Sequence, residues 1–203
     1  MTDTHTPLIN LDPHAQALLF TDARTANTFT DEPVTDEHLH AIYELAKYPP
    51  TAANTQPLRI LYVRPGEGRT RLVTHMNEGN RAKTATAPMV AVLAADTDFH
   101  EHIPHVFPVR PQMRDDLAPN PDARERMARF NATLQIGYYL LAVRAAGLAA
   151  GPMAGFDAAA IDREFFADST WKTLLVVNIG RPGENAWFPR LPRLDYTDVV
   201  RHA

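Results

Sequence analysis

The residues able to do chemistry in this 203-residue chain fall into a few short segments. His100, Glu101, His102 and His105 gather three imidazoles and a carboxylate in a grouping that could ligate zinc. Pro104 and Pro108 break any helix that would align them, so a solvated, irregular segment is the preferred reading and a His-ligated metal hydrolase the competing one. The chain has no cysteine, which excludes disulfides, thiolate zinc sites, iron–sulfur clusters and a catalytic thiol together. No Gly-rich dinucleotide fingerprint, P-loop, HExxH or Gly-x-Ser-x-Gly motif occurs. Gly147, Gly151 and Gly155 recur every four residues, but Pro152 and the lack of a roughly 20-residue apolar span argue against membrane-helix pairing. They mark backbone that turns tightly or approaches something closely. Four polar segments stand out beside these: Arg24–Phe29, Pro50–Pro57, Asn80–Lys83 and Gly151–Asp157.

Elements of recognisable period must position them. Asp12 and Pro13 read as the cap and first residue of a helix whose apolar side is Leu18, Leu19 and Phe20. Thr35 caps a second helix, with Asp36 and Glu37 in its first turn and Leu39, Ile42, Tyr43 and Ala46 on its apolar face. Pro49 and Pro50 stop it. Arg59–Arg64 and Thr173–Gly180 read as strands, and the unbroken apolar run Met89–Ala95 as a strand buried on both faces. The strongest helix starts at Asn120-Pro121-Asp122 and ends at Gly147; Met127, Phe130, Leu134, Tyr138, Leu141, Ala145 and Leu148 give it a period of three and four. From Leu134 on nearly every face is apolar, which places this helix in the middle of the protein or in a subunit interface. Asp157–Phe166 is a short helix. Helices alternating with short buried strands indicate α+β or α/β, in one domain over residues 1–203. That domain carries an irregular, proline-rich excursion at about 97–119 and a non-periodic C-terminal arm at about 181–203.

Composition narrows the class. At 45% hydrophobic and 22% charged, the chain reads as a soluble globular protein. Its net charge of −4 argues against a nucleic-acid partner. The longest uncharged stretch, Phe130–Val143, is too short for a membrane span. Met1–Asn10 is polar, without a basic region or apolar core, so no secretory leader is expected and the cytosol is the expected compartment. Of 20 basic residues only Lys47, Lys83 and Lys172 are lysine. A GC-rich genome accounts for most of that bias, yet it singles out each position that keeps a lysine.

Taken in order, the four polar segments resemble the nitroreductase family of FMN-dependent oxidoreductases. The likeness is greatest to its malonic semialdehyde reductase (3-hydroxypropionate dehydrogenase) subgroup and runs from about Asp12 to Val200, with the tail Phe188–Leu194 similar to that subgroup's. The family's phosphate motif Arg-Arg-Ser-x-Arg-x-Phe is matched by Ala23, Arg24, Thr25 and Asn27. This implies that Arg24, Thr25 and Asn27 face the ribityl phosphate and that Arg190 and Arg193 replace the two missing charges. The likeness of Pro50–Pro57 to Pro-Ser-x-x-Asn-x-Gln-Pro implies that Thr51, Ala52 and Asn54 reach the flavin across a dimer interface; a capped polar loop is the plain alternative. Asn80 and Lys83 match Asn-x-x-Lys, which implies that the Lys83 ammonium balances the negative charge of reduced flavin at N1 and the C2 carbonyl. The plain alternative there is a solvated lysine at a helix end. Gly155, after Met153 and Ala154, matches the glycine whose backbone N–H faces flavin N5. Ala154 stands where many relatives have glutamate, a departure that removes a carboxylate beside the cofactor.

The resemblance implies a nitroreductase-like α+β fold, a central and mostly antiparallel sheet surrounded by helices, in an intertwined homodimer with two FMN sites at the interface. It implies a ping-pong reaction in which NADH or NADPH reduces FMN. The reduced flavin then passes hydride from N5 to a small carbonyl acid such as malonic semialdehyde, or to a quinone or nitro compound, with no side chain acting as acid or base. The family's excursion covers the flavin face, so Arg110 and Arg114, beside Phe107 and Met113, are candidates to hold an acid substrate's carboxylate. A flavin-binding protein without turnover is the remaining alternative from another class.

Overall fold

Side-chain caps start the first two helices. Asp12 accepts from the Ala15 N–H at 3.0 Å to open α1 (Pro13–Gln16), which runs on as a π-helical turn over Ala17–Thr21. Thr35 opens α2 (Asp36–Ala46) in a capping box closed by His38; Leu39, Ile42 and Ala46 are buried, whereas Tyr43 stays half exposed. This computed structural model describes residues 8–203, and Met1–Pro7 of the leader reading lie outside the described residues.

β1 (Leu58–Val63), β2 (Met89–Asp96), β3 (Ala149–Met153) and β4 (Trp171–Gly180) form one antiparallel sheet in the order β1-β2-β4-β3. Every residue of β2 is buried because its two faces enter different cores. Met89, Ala91 and Leu93 pack with Leu39 and Ile42 of α2 and with Tyr139 and Val143 of the long helix α7 (Pro121–Ala145). Val90, Val92 and Ala94 pack with Leu72 of α3 (Glu67–Thr74) and Ile161 of α8 (Ala158–Phe165). Two-sided burial without alternation therefore belongs here to a central antiparallel strand. α3 and α4 (Glu78–Thr86) lie outside the expected elements, since charged and polar residues dominate both and leave no apolar period. β3 was equally silent, because Ala, Gly and Pro are poor strand formers.

α7 differs from expectation in its phase. It starts on the Asn120 cap as expected, but the stripe facing the core is Ala128, Asn131, Ala132, Gln135, Ile136, Tyr139, Ala142 and Val143. The periodic series through Phe130 and Leu134 lies on another face, with Phe130 72% exposed and Leu134 40% exposed. A helix with two apolar faces fits the helical period in more than one phase, and here Phe130 and Leu134 are on the uncovered one.

The excursion at 97–119 also differs from the irregular segment expected. It folds as a 3-10 turn (Phe99–His102) and two short helices, α5 (Ile103–Val106) and α6 (Met113–Leu117). Phe99 and Ile103 are buried against Ala128 and Ala132 of α7. Pro104 sits in the first turn of α5, where a missing N–H costs nothing, so it starts a helix rather than breaking one. The arm contains one helical turn, α9 (Tyr196–Val199), and is exposed along most of its length from Phe188. Among the described residues no helix is long and apolar enough to cross a membrane.

Candidate functional site

β3 and the arm together hold the segment that carries Arg24, Thr25 and Asn27. The Ala26 N–H donates to Ala150 O at 3.0 Å and the Asn27 N–H to Ala186 O at 3.0 Å, so the segment is threaded between them. A Cβ on Gly151 would stand 2.5 Å from Ala26 O, which explains the glycine as a close backbone approach. Arg24 donates to Phe188 O at 3.3 Å, and its guanidinium lies 5.6 Å from the Trp187 ring centroid. Arg190 donates back to Thr21 O and Ala23 O. Arg24, Thr25, Asn27, Phe188, Arg190 and Arg193 line a cavity of about 570 Å³.

α4 brings the next pair to the same wall. Lys83 Nζ reaches Asn27 Oδ1 at 3.5 Å, and Asn80, one turn earlier, donates to Gly155 O at 3.0 Å. Gly155 O accepts a second bond from the Asn77 N–H at 3.0 Å. A Cβ on Gly155 would meet Asn80 Nδ2 at 2.7 Å, so nothing larger than glycine fits without moving that clamp. The Gly155 N–H has no protein partner among the described residues. Met153 is buried at the end of β3, its Sδ 3.7 Å from Thr84 Oγ1, and Ala154 is exposed. Among the described residues no carboxylate pairs with Arg24, Lys83, Arg190 or Arg193. Arg24, Arg190 and Arg193 share one cavity, Lys83 borders it through Asn27, and none of the four is ion-paired among the described residues, an arrangement suited to an anion.

Thr51, Ala52 and Asn54 lie elsewhere. The Ala52 N–H donates to Asn131 Oδ1 at 2.8 Å, Asn54 Nδ2 to Val106 O at 2.7 Å, and Thr51 Oγ1 accepts from the Gln56 N–H at 3.2 Å. Ala53, Asn54 and Gln56 all adopt positive φ, at 49°, 53° and 43°. Such backbone persists only where its surroundings hold it, here α7 and α5. No hydrogen bond among the described residues joins this loop to the wall formed by Asn27, Lys83 and Gly155.

Two other sets of side chains are already engaged or apart. Arg110 pairs with Asp116 at 2.9 Å, and Arg114 with Glu101 at 2.7 Å and Asp115 at 3.2 Å. The Arg114 hydrogen bond pulls the Glu101 carboxyl below its ordinary range. His100 is buried while His102 and His105 are exposed, and among the described residues no three His, Asp or Glu side chains come together as a metal would need. Arg144 of α7 escaped the sequence reading. It donates to Leu18 O at 2.6 Å and, with Arg24, Thr25 and Arg193, lines an adjoining cavity of about 390 Å³. Its signal was a lone cation in the apolar half of α7.

Residues 21–181 match the family described as "Nitroreductase family". A Streptomyces coelicolor protein named "Putative NADH dehydrogenase/NAD(P)H nitroreductase SCO7141" is 60% identical over 194 residues, 96% of each chain. Among solved structures, a "putative nitroreductase in complex with FMN" from Exiguobacterium sibiricum superposes with a TM-score of 0.75 at 21% identity, covering 89% of this chain and 93% of its own. CLA-ER, an enone reductase of gut-bacterial fatty acid metabolism, does so with a TM-score of 0.79 at 15% identity, covering 94% and 98%. The chain belongs to the nitroreductase family of oxidoreductases.

Proposed function

We propose that the protein is a homodimeric, cytosolic, single-domain enzyme that oxidises NADH or NADPH and reduces a small carbonyl acid such as malonic semialdehyde. The observation that carries the cofactor part is a cavity lined by Arg24, Arg190 and Arg193, bordered by Lys83 through Asn27, with no ion pair to any of them among the described residues and with the Gly155 N–H near by without a protein partner there. A ligand with a phosphate at one end and a flat ring at the other fits those donors: Arg24, Thr25, Arg190 and Arg193 take the phosphate, and Lys83 and Gly155 face the ring. Bound FMN supplies two-electron transfer between NAD(P)H and the acceptor. Lys83 holds positive charge where the reduced ring becomes negative, and the Asn77 and Asn80 bonds fix the peptide that follows the Gly155 donor.

The protein is expected to purify yellow with noncovalent FMN and to gain thermal stability on added FMN by ligand linkage. A colourless protein whose melting temperature ignores FMN would overturn the proposal. NAD(P)H oxidation in the same preparation separates an enzyme from a flavin carrier. Lys83→Met is expected to keep FMN but to lower its reduction potential and slow its reduction by NAD(P)H; an unchanged potential would return Lys83 to an ordinary helix-end lysine.

The acid acceptor rests on the likeness of Phe188–Leu194 to the semialdehyde reductases. A second reading, a broad quinone or nitro reductase, is favoured by the ion pairs that already occupy Arg110 and Arg114. Arg110→Gln distinguishes them. It should raise KM for malonic semialdehyde by roughly tenfold or more, the value of one charge-assisted contact, with little change for an uncharged quinone. Equal effects on both acceptors would favour the second reading.

A further inference from the structure

The C-terminal half of β4 contains one amide in an otherwise apolar run, Asn178 between Val177 and Ile179. Its side chain is fully buried, in register with Gly151 of β3 and Val90 of β2. Nδ2 donates to Lys83 O at 3.1 Å, while Oδ1 has no partner. The bond to a carbonyl fixes which way the amide points, since the flipped amide would set oxygen against oxygen. A buried acceptor left unpaired is costly, and an apolar residue would remove that cost. What it would also remove is the tie to Lys83.

That tie matters because of where Lys83 lies. It sits in the last turn of α4, whose final carbonyls have no helical partner. Two buried side chains from other elements take them. Asn178 holds Lys83 O, and Arg69 of α3 donates to Thr84 O at 2.8 Å and Ala87 O at 2.6 Å. Thr84 Oγ1 and Asn178 Nδ2 both lie against Met153 Sδ, at 3.7 and 3.9 Å. The same amide therefore touches the helix that carries the ammonium and the strand that leads to Gly155.

We propose that Asn178 is a positioning residue: its bond to Lys83 O locks the last turn of α4 to β3 and β4, and so sets the Lys83 ammonium against Asn27 and the face of the Gly155 donor. This rests on the reading of Lys83 given above. Asn178 touches no reacting group and acts through Lys83 alone.

The test is a double-mutant cycle on the FMN-loaded protein, read by reduction potential, with Asn178→Val as the variant suited to a buried strand and Asn178→Ala as a second. Asn178→Val is expected to lower the potential in the same direction as Lys83→Met. A tenfold weaker preference for reduced over oxidised FMN would read as ~30 mV for this two-electron couple. In the Lys83→Met background the Asn178 substitution should add nothing. Hydrogen exchange on the FMN-free protein should show the amides at the end of α4 losing protection in Asn178→Val. An unmoved potential in Asn178→Val, or a shift that adds fully to that of Lys83→Met, overturns the inference while leaving Lys83's role intact. A Lys83→Met protein with unchanged potential fails the reading of Lys83 itself and takes this inference with it.

Discussion

Phe130→Glu combined with Leu134→Glu is expected to turn the protein into a monomer that has lost most of its affinity for FMN. Phe130 is 72% exposed and Leu134 40% exposed on the face of α7 turned away from the sheet, and Gly137 and Leu141 continue that face. An apolar surface on the longest helix, with Phe130 and Leu134 left uncovered by the rest of the chain, fits coverage by a second copy of the chain. Central apolar anchors in such interfaces cost ~2–4 kcal/mol each when removed, or roughly 30- to 1000-fold in affinity. Two buried carboxylates without partners cost more. FMN affinity should fall with the dimer because Thr51, Ala52 and Asn54 lie on a loop that makes no bond to the cation wall of its own chain. Sedimentation and FMN titration read both effects. A double variant that keeps the parent's mass would remove α7 from the interface, and a monomer with undiminished FMN affinity would place the whole site within one chain.

The second large effect is at Gly151. Its replacement by valine puts a Cβ 2.5 Å from Ala26 O, with Asn178 Cβ and the Phe29 ring each 3.5 Å away on the other sides. Backbone is what must move, because Ala26 is itself bonded to Ala150 at 3.0 Å. Overpacking of this kind costs about 1–3 kcal/mol and occasionally more. The displaced segment carries Arg24, Thr25 and Asn27, so FMN binding should drop along with the melting temperature. Gly68→Ala is the control. Its Cβ would meet only a Val63 methyl at 3.8 Å in the first turn of α3, and it should stabilise by about 0.4–1 kcal/mol. A Gly151→Val protein as stable as the parent, with unchanged FMN affinity, would refute the close approach.

The parts of this fold legible in sequence were those with local causes. Asp12, Thr35 and Asn120 cap helices because their side-chain oxygens reach N–H groups three residues on, a contact that needs no tertiary context. The run Met89–Ala95 was legible because a strand between two cores has no polar face. What stayed hidden depends on partners distant in sequence. α3 and α4 are held by Arg69, a buried cation that burial pulls down to about 10 and that meets the carbonyls of Val63, Thr84 and Ala87. Nothing near Arg69 in sequence announces those carbonyls. The two faces of α7 could not be ranked without the sheet. At the site, motif likeness singled out Asn27, Asn80, Lys83 and Gly155, among which the bonds seen are Lys83 to Asn27 and Asn80 to Gly155, whereas Asn178 and Arg144 lie outside every motif and became visible only through what they touch.

The strand order β1-β2-β4-β3 has a kinetic consequence. The strand made last lies inside the sheet, and β2 and β3 are joined only through β4. During synthesis, β1 and β2 can pair and α7 can wind, but the sheet stays split until Gly180 has left the ribosome. Closing it means bringing together residues some 80 positions apart, such as Val92 and Val176, after the loop entropy of everything between has been overcome. Until then β2 presents a long apolar edge, the kind of surface on which partly made chains aggregate. The cost of that topology falls on the nascent chain rather than on the finished fold.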